Sequence, residues 1–166
     1  IPLTNTIEIM KKNTEEAQEV AKFLKEADLE IDGFEFKNDA LVTPGVPQEQ
    51  ILLLQQQLDP FKLITYHKDK AVPFLLFDST GTKKIAAIAS YVIKTIKEGG
   101  VLLVDELDSS LHFKLSRAIV AMFNNMDNEK GQLIFTTHDV SLMDCKTLLR
   151  KDQIWFADKD AEQTYL

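Results

Sequence analysis

The stretch Val101-Leu102-Leu103-Val104-Asp105-Glu106-Leu107-Asp108-Ser109-Ser110-Leu111-His112 decides how the rest of the chain is read. The apolar run from Val101 to Val104 describes a buried strand, and the two acids after it would stand at the strand's carboxyl end. In an open parallel sheet, ligands bind at that edge. Asp105 suits a Mg²⁺ ion held through water, because Mg²⁺ prefers oxygen ligands and keeps several waters. Glu106 is placed to orient or deprotonate an attacking water. Acids also follow strands simply because the chain reaches solvent, so the pair alone leaves both readings open. The continuation, residues 107–112, reads as a helix start with Ser109 or Ser110 as the cap. His112 lacks a metal-ligand set, since His67 lies far upstream and no zinc-like spacing exists.

Working outward, Gly99-Gly100 closes a predicted helix over 82–97, whose Ile85, Ile88, Ala89, Val92 and Ile96 fall at helical spacing. A helix over about 112–125 and a buried strand over 132–136 follow, then a short helix over 141–149 and a final strand over 153–157. Alternating helices and buried strands is the rhythm of a parallel sheet with helices packed on it. His138, just past strand 132–136, should then stand beside Glu106 at the same sheet edge, where a histidine can donate to developing phosphate charge. A lone loop histidine is the plainer alternative. Upstream, Asp78-Ser79-Thr80-Gly81-Thr82-Lys83-Lys84 joins a Ser cap to a glycine that admits close backbone approach. Lysines in a first helical turn oppose the helix dipole, and a bound anion would remove that penalty. A capped turn with two solvated lysines is the alternative.

The first seventy residues carry no chemistry legible in the sequence. Residues 5–10 alternate weakly and suggest a strand, and Thr14 opens a helix running to about Ala27. Residues 29–37 alternate around Gly33 as strand or hairpin, Pro44, Gly45 and Pro47 mark a loop, and 48–57 suggest a short helix. The runs 61–66 and 72–77 look like two strands.

Composition narrows the classes. At 166 residues and 45% hydrophobic content the chain can bury one real core. A net charge of −7 leaves no basic stripe to grip nucleic acid unaided. The single cysteine, Cys145, excludes an internal disulfide and points to a reducing, cytoplasmic setting. No apolar run approaches the roughly 18 residues of a membrane span, and no signal peptide is visible.

In order, the Ser79 turn, the Asp105-Glu106 strand end, the serine-rich loop and His138 resemble the C-terminal half of ABC/SMC-type ATPases. The likeness is strongest to stand-alone prokaryotic ATP-binding proteins filed among AAA-type domains, several linked to abortive infection or other phage defence. It covers residues 72–166, including RKDQIWFADKD at 150–160, and the first seventy match only vaguely. The resemblance implies an α/β, P-loop NTPase-like fold: a mostly parallel sheet with flanking helices (C-terminal lobe only, 71–166), plus a small N-terminal α+β insertion over 1–70. It implies that Asp105 supports Mg²⁺, Glu106 is the general base, and His138 contacts the γ-phosphate and attacking water. Ser79, Gly81, Thr82 and Lys83 would contact the γ-phosphate of ATP held by a second subunit, and Ser109 and Ser110 would communicate across that homodimer. Two departures stand out: Asp78 replaces the usual Glu, and Thr80 sits where the transporter signature has its first glycine.

The larger departure is the phosphate loop. No G-x-x-x-x-G-K-[ST] occurs in the 166 residues, so nothing here cradles the α- and β-phosphates. With Ile1 rather than Met at the start, the expectation is a C-terminal fragment, and a degenerate relative is the alternative. Hydrolysis of ATP in the intact protein is the leading function. A non-hydrolysing scaffold is the runner-up, and a nuclease ranks below both because carboxylates beyond Asp105, Glu106 and Asp108 are wanting. An effector protein or a nucleic acid would be compatible targets.

Overall fold

A computed structural model describes residues 2–27, 31–37, 47–68, 70–144, 146–159 and 164–165. Helices α1 (Thr4–Lys12) and α2 (Glu15–Ala27) open the chain, with Asn13 between them in the left-handed conformation that Asn tolerates. Strands β1 (Gly33–Phe36), β2 (Leu63–His67) and β3 (Lys70–Pro73) form an antiparallel sheet in that order. Helix α3 (Gln48–Leu58) and a 3-10 turn (Asp59–Lys62) lie between β1 and β2. A one-turn helix α4 (Phe74–Phe77) leads into α5 (Thr80–Glu98). Strand β4 (Gly100–Val104), helix α6 (Phe113–Phe123) and strand β5 (Gly131–Phe135) follow, with β4 and β5 parallel and Val104 paired to Phe135. The chain ends in 3-10 turns at Val140–Leu142 and Lys151–Gln153 and a short antiparallel pair, β6 (Asp158–Lys159) with β7 (Thr164–Tyr165).

Helix α5 is the axis of this mixed α/β arrangement. Its Ile85, Ala86, Ala89 and Ile93 pack on Ile7, Met10, Val20, Leu24, Phe34, Leu63 and Phe74. Its other side, Ile88 and Val92, packs on Val104, Leu107, Ile119, Val120 and Phe123. A helix apolar on both sides must be buried on both sides. Residues before 70 and after 71 therefore share one core. Small side chains at Ala86 and Ser90 let α1 come close: the Thr6 hydroxyl lies 2.7 Å from the Ala86 carbonyl and 3.0 Å from Ser90 Oγ. The resulting fold, a small parallel sheet with helices, is compatible with a P-loop-like fold. The parallel sheet has two strands among the described residues, fewer than a mostly parallel sheet implies.

Several sequence expectations need correction. Residues 5–10 are helical, because Thr6, Ile7, Ile9 and Met10 bury together against α5, and that packing overrides the apparent alternation. Of 72–77, only the first part is strand. Phe74 turns inward and meets Phe34 edge-on at 5.2 Å, while Leu76 and Phe77 are exposed in the one-turn helix. The described residues of 141–149 contain a 3-10 turn rather than a helix. Residues 153–157 form no strand: the Arg150 N–H donates to Gln153 Oε1 at 2.7 Å, closing a local turn, and Trp155 and Phe156 stay exposed. The cap of α6 is His112, whose ring accepts from the Lys114 N–H, and not Ser109 or Ser110. The loop at Pro44 and Gly45, residues 29 and 30, and Cys145 lie outside the described residues.

Candidate functional site

The parallel register brings Asp105 and Thr136 together at the carboxyl ends of β4 and β5. The Thr136 hydroxyl donates to Asp105 Oδ1 at 2.5 Å and accepts from the Glu106 N–H at 2.8 Å. Backbone bonds from Thr136 N to Val104 O and from Leu107 N to Thr136 O, both 3.0 Å, continue the ladder past the strands. One hydroxyl thus aims the carboxylate and fixes the next residue.

Glu106 itself stands at φ 49, a left-handed backbone that costs a non-glycine residue about 1–2 kcal/mol. Such strain persists only where surrounding bonds over-determine it. Here the Glu106 carbonyl accepts from the Ser109 N–H at 3.0 Å and from Lys84 Nζ at 2.6 Å, and Lys84 also reaches the Ser109 carbonyl at 2.7 Å. Burial lowers the pKa of Lys84, against the pull of the Asp108, Glu106 and Asp105 carboxylates.

His138 Nε2 lies 4.0 Å from Glu106 Oε1, so the structure joins these two sequence candidates at one open sheet edge. Asp108 secures the histidine's backbone. Its Oδ1 accepts from the His138 N–H at 3.3 Å, and the Thr137 hydroxyl, donating to the same carboxylate, holds its pKa below the usual carboxylate value.

The Ser79 turn adjoins this loop. Ser79 Oγ caps α5 by accepting from the Thr82 N–H at 3.0 Å, and Thr82 Oγ1 lies 2.8 Å from it. Lys83 is half-buried in the first turn. Gly81 is required by a close approach: a methyl group there would sit 2.6 Å from the backbone oxygen of Ser110, itself left-handed at φ 61. The turn is anchored from behind by Asp78, which is buried. Its Oδ2 accepts from the Thr65 hydroxyl at 2.5 Å and its Oδ1 lies 3.0 Å from His67 Nε2.

Sequence reasoning took Lys84 with Lys83 as an anion-facing lysine and missed its bonds to the Glu106 and Ser109 carbonyls, and it missed the roles of Asp108, Thr136 and the Asp78 anchor. For Lys84 a signal existed: it lies three residues after Gly81, on the same helical face.

A protein-family model described as "AAA domain, putative AbiEii toxin, Type IV TA system" matches residues 5–144, well over half of the chain. The chain belongs to that family. The match takes in residues 5–70, which the motif resemblance left aside, and stops before the 150–160 stretch. No curated protein matches the chain. An AAA-type domain is of a nucleotide-binding, ATPase-like class, and such P-loop domains generally use Mg²⁺. The residues present fit that usage. Among the described residues no cluster of three or more His, Cys, Asp or Glu side chains could cage a metal ion. Mg²⁺ needs no cage, since it takes one or two carboxylates, phosphate oxygens and water, and Asp105 is exposed and pre-aimed. Among the described residues no helix of this AAA-type domain is long and apolar enough to cross a membrane.

Proposed function

We propose that this AAA-type domain is the C-terminal lobe of an ABC/SMC-like ATPase. In this reading it hydrolyses ATP when joined to a lobe carrying the phosphate loop and when two copies sandwich the nucleotide. The observation that carries it is the pairing of Glu106 with His138 at 4.0 Å, beside the Thr136-tethered Asp105, at the carboxyl ends of two parallel strands.

Mg-ATP, when bound, would supply the phosphoryl group and the cation that balances its charge. Asp105 would hold the ion, with Thr136 keeping its carboxylate in place. Glu106 would take the proton from the attacking water, and His138 would donate toward the γ-phosphate. Ser79, Gly81 and Lys83, at the start of α5, would face the γ-phosphate held by the second copy, with the buried Thr82 holding the Ser79 hydroxyl in place. Exposed N–H groups and a dipole favour an anion there. Ser109 and Ser110 abut that turn and would pass its occupancy to Glu106.

One face of the β4–β5 pair supports the need for a second lobe. Val101, Leu103 and Ile134 are exposed on it, whereas parallel sheets are ordinarily covered on both faces. The family's description, a putative AbiEii toxin of a type IV TA system, supports a link to abortive infection. In this reading the cycle would act on an effector protein or a nucleic acid in a cytoplasmic setting. The lack of a phosphate loop in the sequence favours one second reading, a scaffold that no longer hydrolyses.

Calorimetric titration of the 166 residues with Mg-ATP tests the missing-loop argument. No tight binding is expected, and micromolar affinity would contradict it.

A further inference from the structure

Lys84 stands in the first turns of α5, three residues after Gly81, and both face the loop that carries Glu106. Its ammonium donates to two carbonyls that bracket one turn, Glu106 O at 2.6 Å and Ser109 O at 2.7 Å. The same Glu106 oxygen accepts from the Ser109 N–H at 3.0 Å. A carbonyl held from two sides cannot rotate, so the peptide after Glu106 is fixed. That peptide plane sets ψ of Glu106, while the Glu106 N–H on Thr136 Oγ1 at 2.8 Å holds the peptide before it; together they keep the backbone left-handed, and an extended backbone there would swing the carboxylate away from His138. Backbone carbonyls could be satisfied by water in an exposed loop, so a lysine is not required for stability alone. Three carboxylates, Asp105, Glu106 and Asp108, favour the cation at this place, while burial opposes it.

We propose that Lys84 is a positioning residue for Glu106, a clamp that fixes the Glu106 turn and ties its geometry to the Ser79–Lys83 turn at the start of the same helix. Anything that moves the start of α5 then moves Glu106 through two bonds from one side chain. The activity half of this inference rests on Glu106 being the general base. The structural half does not.

The test uses Lys84→Met and Lys84→Arg in the whole protein, read by amide hydrogen exchange and by steady-state ATP hydrolysis. Lys84→Met keeps the stem and removes the donor. Exchange at the Ser109 and Leu111 amides should rise roughly tenfold, as expected for local opening once a charge-assisted bond is lost, with α5 unchanged as the control for folding. The kcat should fall roughly 10- to 100-fold with little change in KM, because the base is misplaced and binding is not. Lys84→Arg should restore both. Unchanged exchange at Ser109 and Leu111 in Lys84→Met would overturn the clamp whatever the activity. Faster exchange in a protein whose wild type hydrolyses no ATP would uphold the clamp and remove the reading of Glu106 as base. Faster exchange with undiminished kcat would overturn the positioning role.

Discussion

Replacing Gly81 with Ala places a methyl carbon 2.6 Å from the Ser110 carbonyl oxygen. In most helices that exchange is favourable, because Ala exceeds Gly in helix propensity by about 1 kcal/mol in a helix interior. Gly81 lies in the first turn of α5, so less of that gain is available there. Contacts between Cβ and other heavy atoms essentially never fall under 3.0 Å, so the loop must retreat by at least about 0.4 Å. It is poorly able to do so. Ser110 is held left-handed, and Lys84 fastens the Glu106 and Ser109 carbonyls just before it. Overpacking of this kind costs about 1–3 kcal/mol. Set against the partial propensity gain, the net expectation is a loss of about 1–2 kcal/mol, or a few degrees in Tm for a chain of this length. Urea denaturation of Gly81→Ala beside Thr80→Ala, an exposed neighbour, measures it. A Gly81→Ala variant as stable as wild type or more stable would refute the close approach and the reason given for this glycine.

Other consequences can be checked separately. Asn128 donates from Nδ2 to the Phe123 and Gly131 carbonyls at 2.7 and 2.8 Å and accepts from the Gly131 N–H at 2.8 Å, tying the end of α6 to the start of β5. Asn128→Ala should cost about 2–3 kcal/mol in urea unfolding, and a loss well under 1 kcal/mol would contradict that role. Asp144, which accepts from the Thr147 hydroxyl, the Lys146 N–H and Arg117, has its carboxyl lowered from 3.8 to about 2. A depressed carboxyl contributes stability that is present above its unfolded value and lost as pH falls through its folded value, here from about 4 toward about 2. An NMR titration should find that low midpoint, moving up in Arg117→Met, and an ordinary midpoint in the wild type would count against the loop geometry. Thr136→Val removes the hydroxyl that serves both Asp105 and the Glu106 N–H. We expect Mg²⁺-dependent hydrolysis by the whole protein to fall roughly 10- to 100-fold, with little loss of folding stability. Unchanged Mg²⁺ dependence would show that the tether is idle.

Much of the C-terminal part was legible because its signals are local. The apolar period of Ile85 through Ile96 marks α5, and the continuous run Val101–Val104 marks a buried strand. Parallel pairing with the next strand then places His138 near Glu106 without further information. The rest was hidden for definable reasons. Lys84 shares a helical face with Gly81, but its partners are backbone carbonyls, which leave no trace in side-chain patterns. Gly81 is dictated by a loop nearly thirty residues away, and Asp78 by Thr65 and His67 in a separate hairpin. Helix α1 reads as a strand until α5 is present to bury Thr6 and Met10 on one face. Thr136 and Thr137 are adjacent and alike in sequence, yet one serves Asp105 and the other Asp108.

The central claim is that Glu106 is the base of an ATP-hydrolysing site, and Glu106→Gln in the whole protein tests it most directly. Gln keeps the shape and removes the proton acceptor. Single-turnover measurement with Mg-ATP should find nucleotide bound and retained as ATP, with hydrolysis slowed roughly 10²- to 10⁴-fold. Undiminished hydrolysis by Glu106→Gln would contradict the claim.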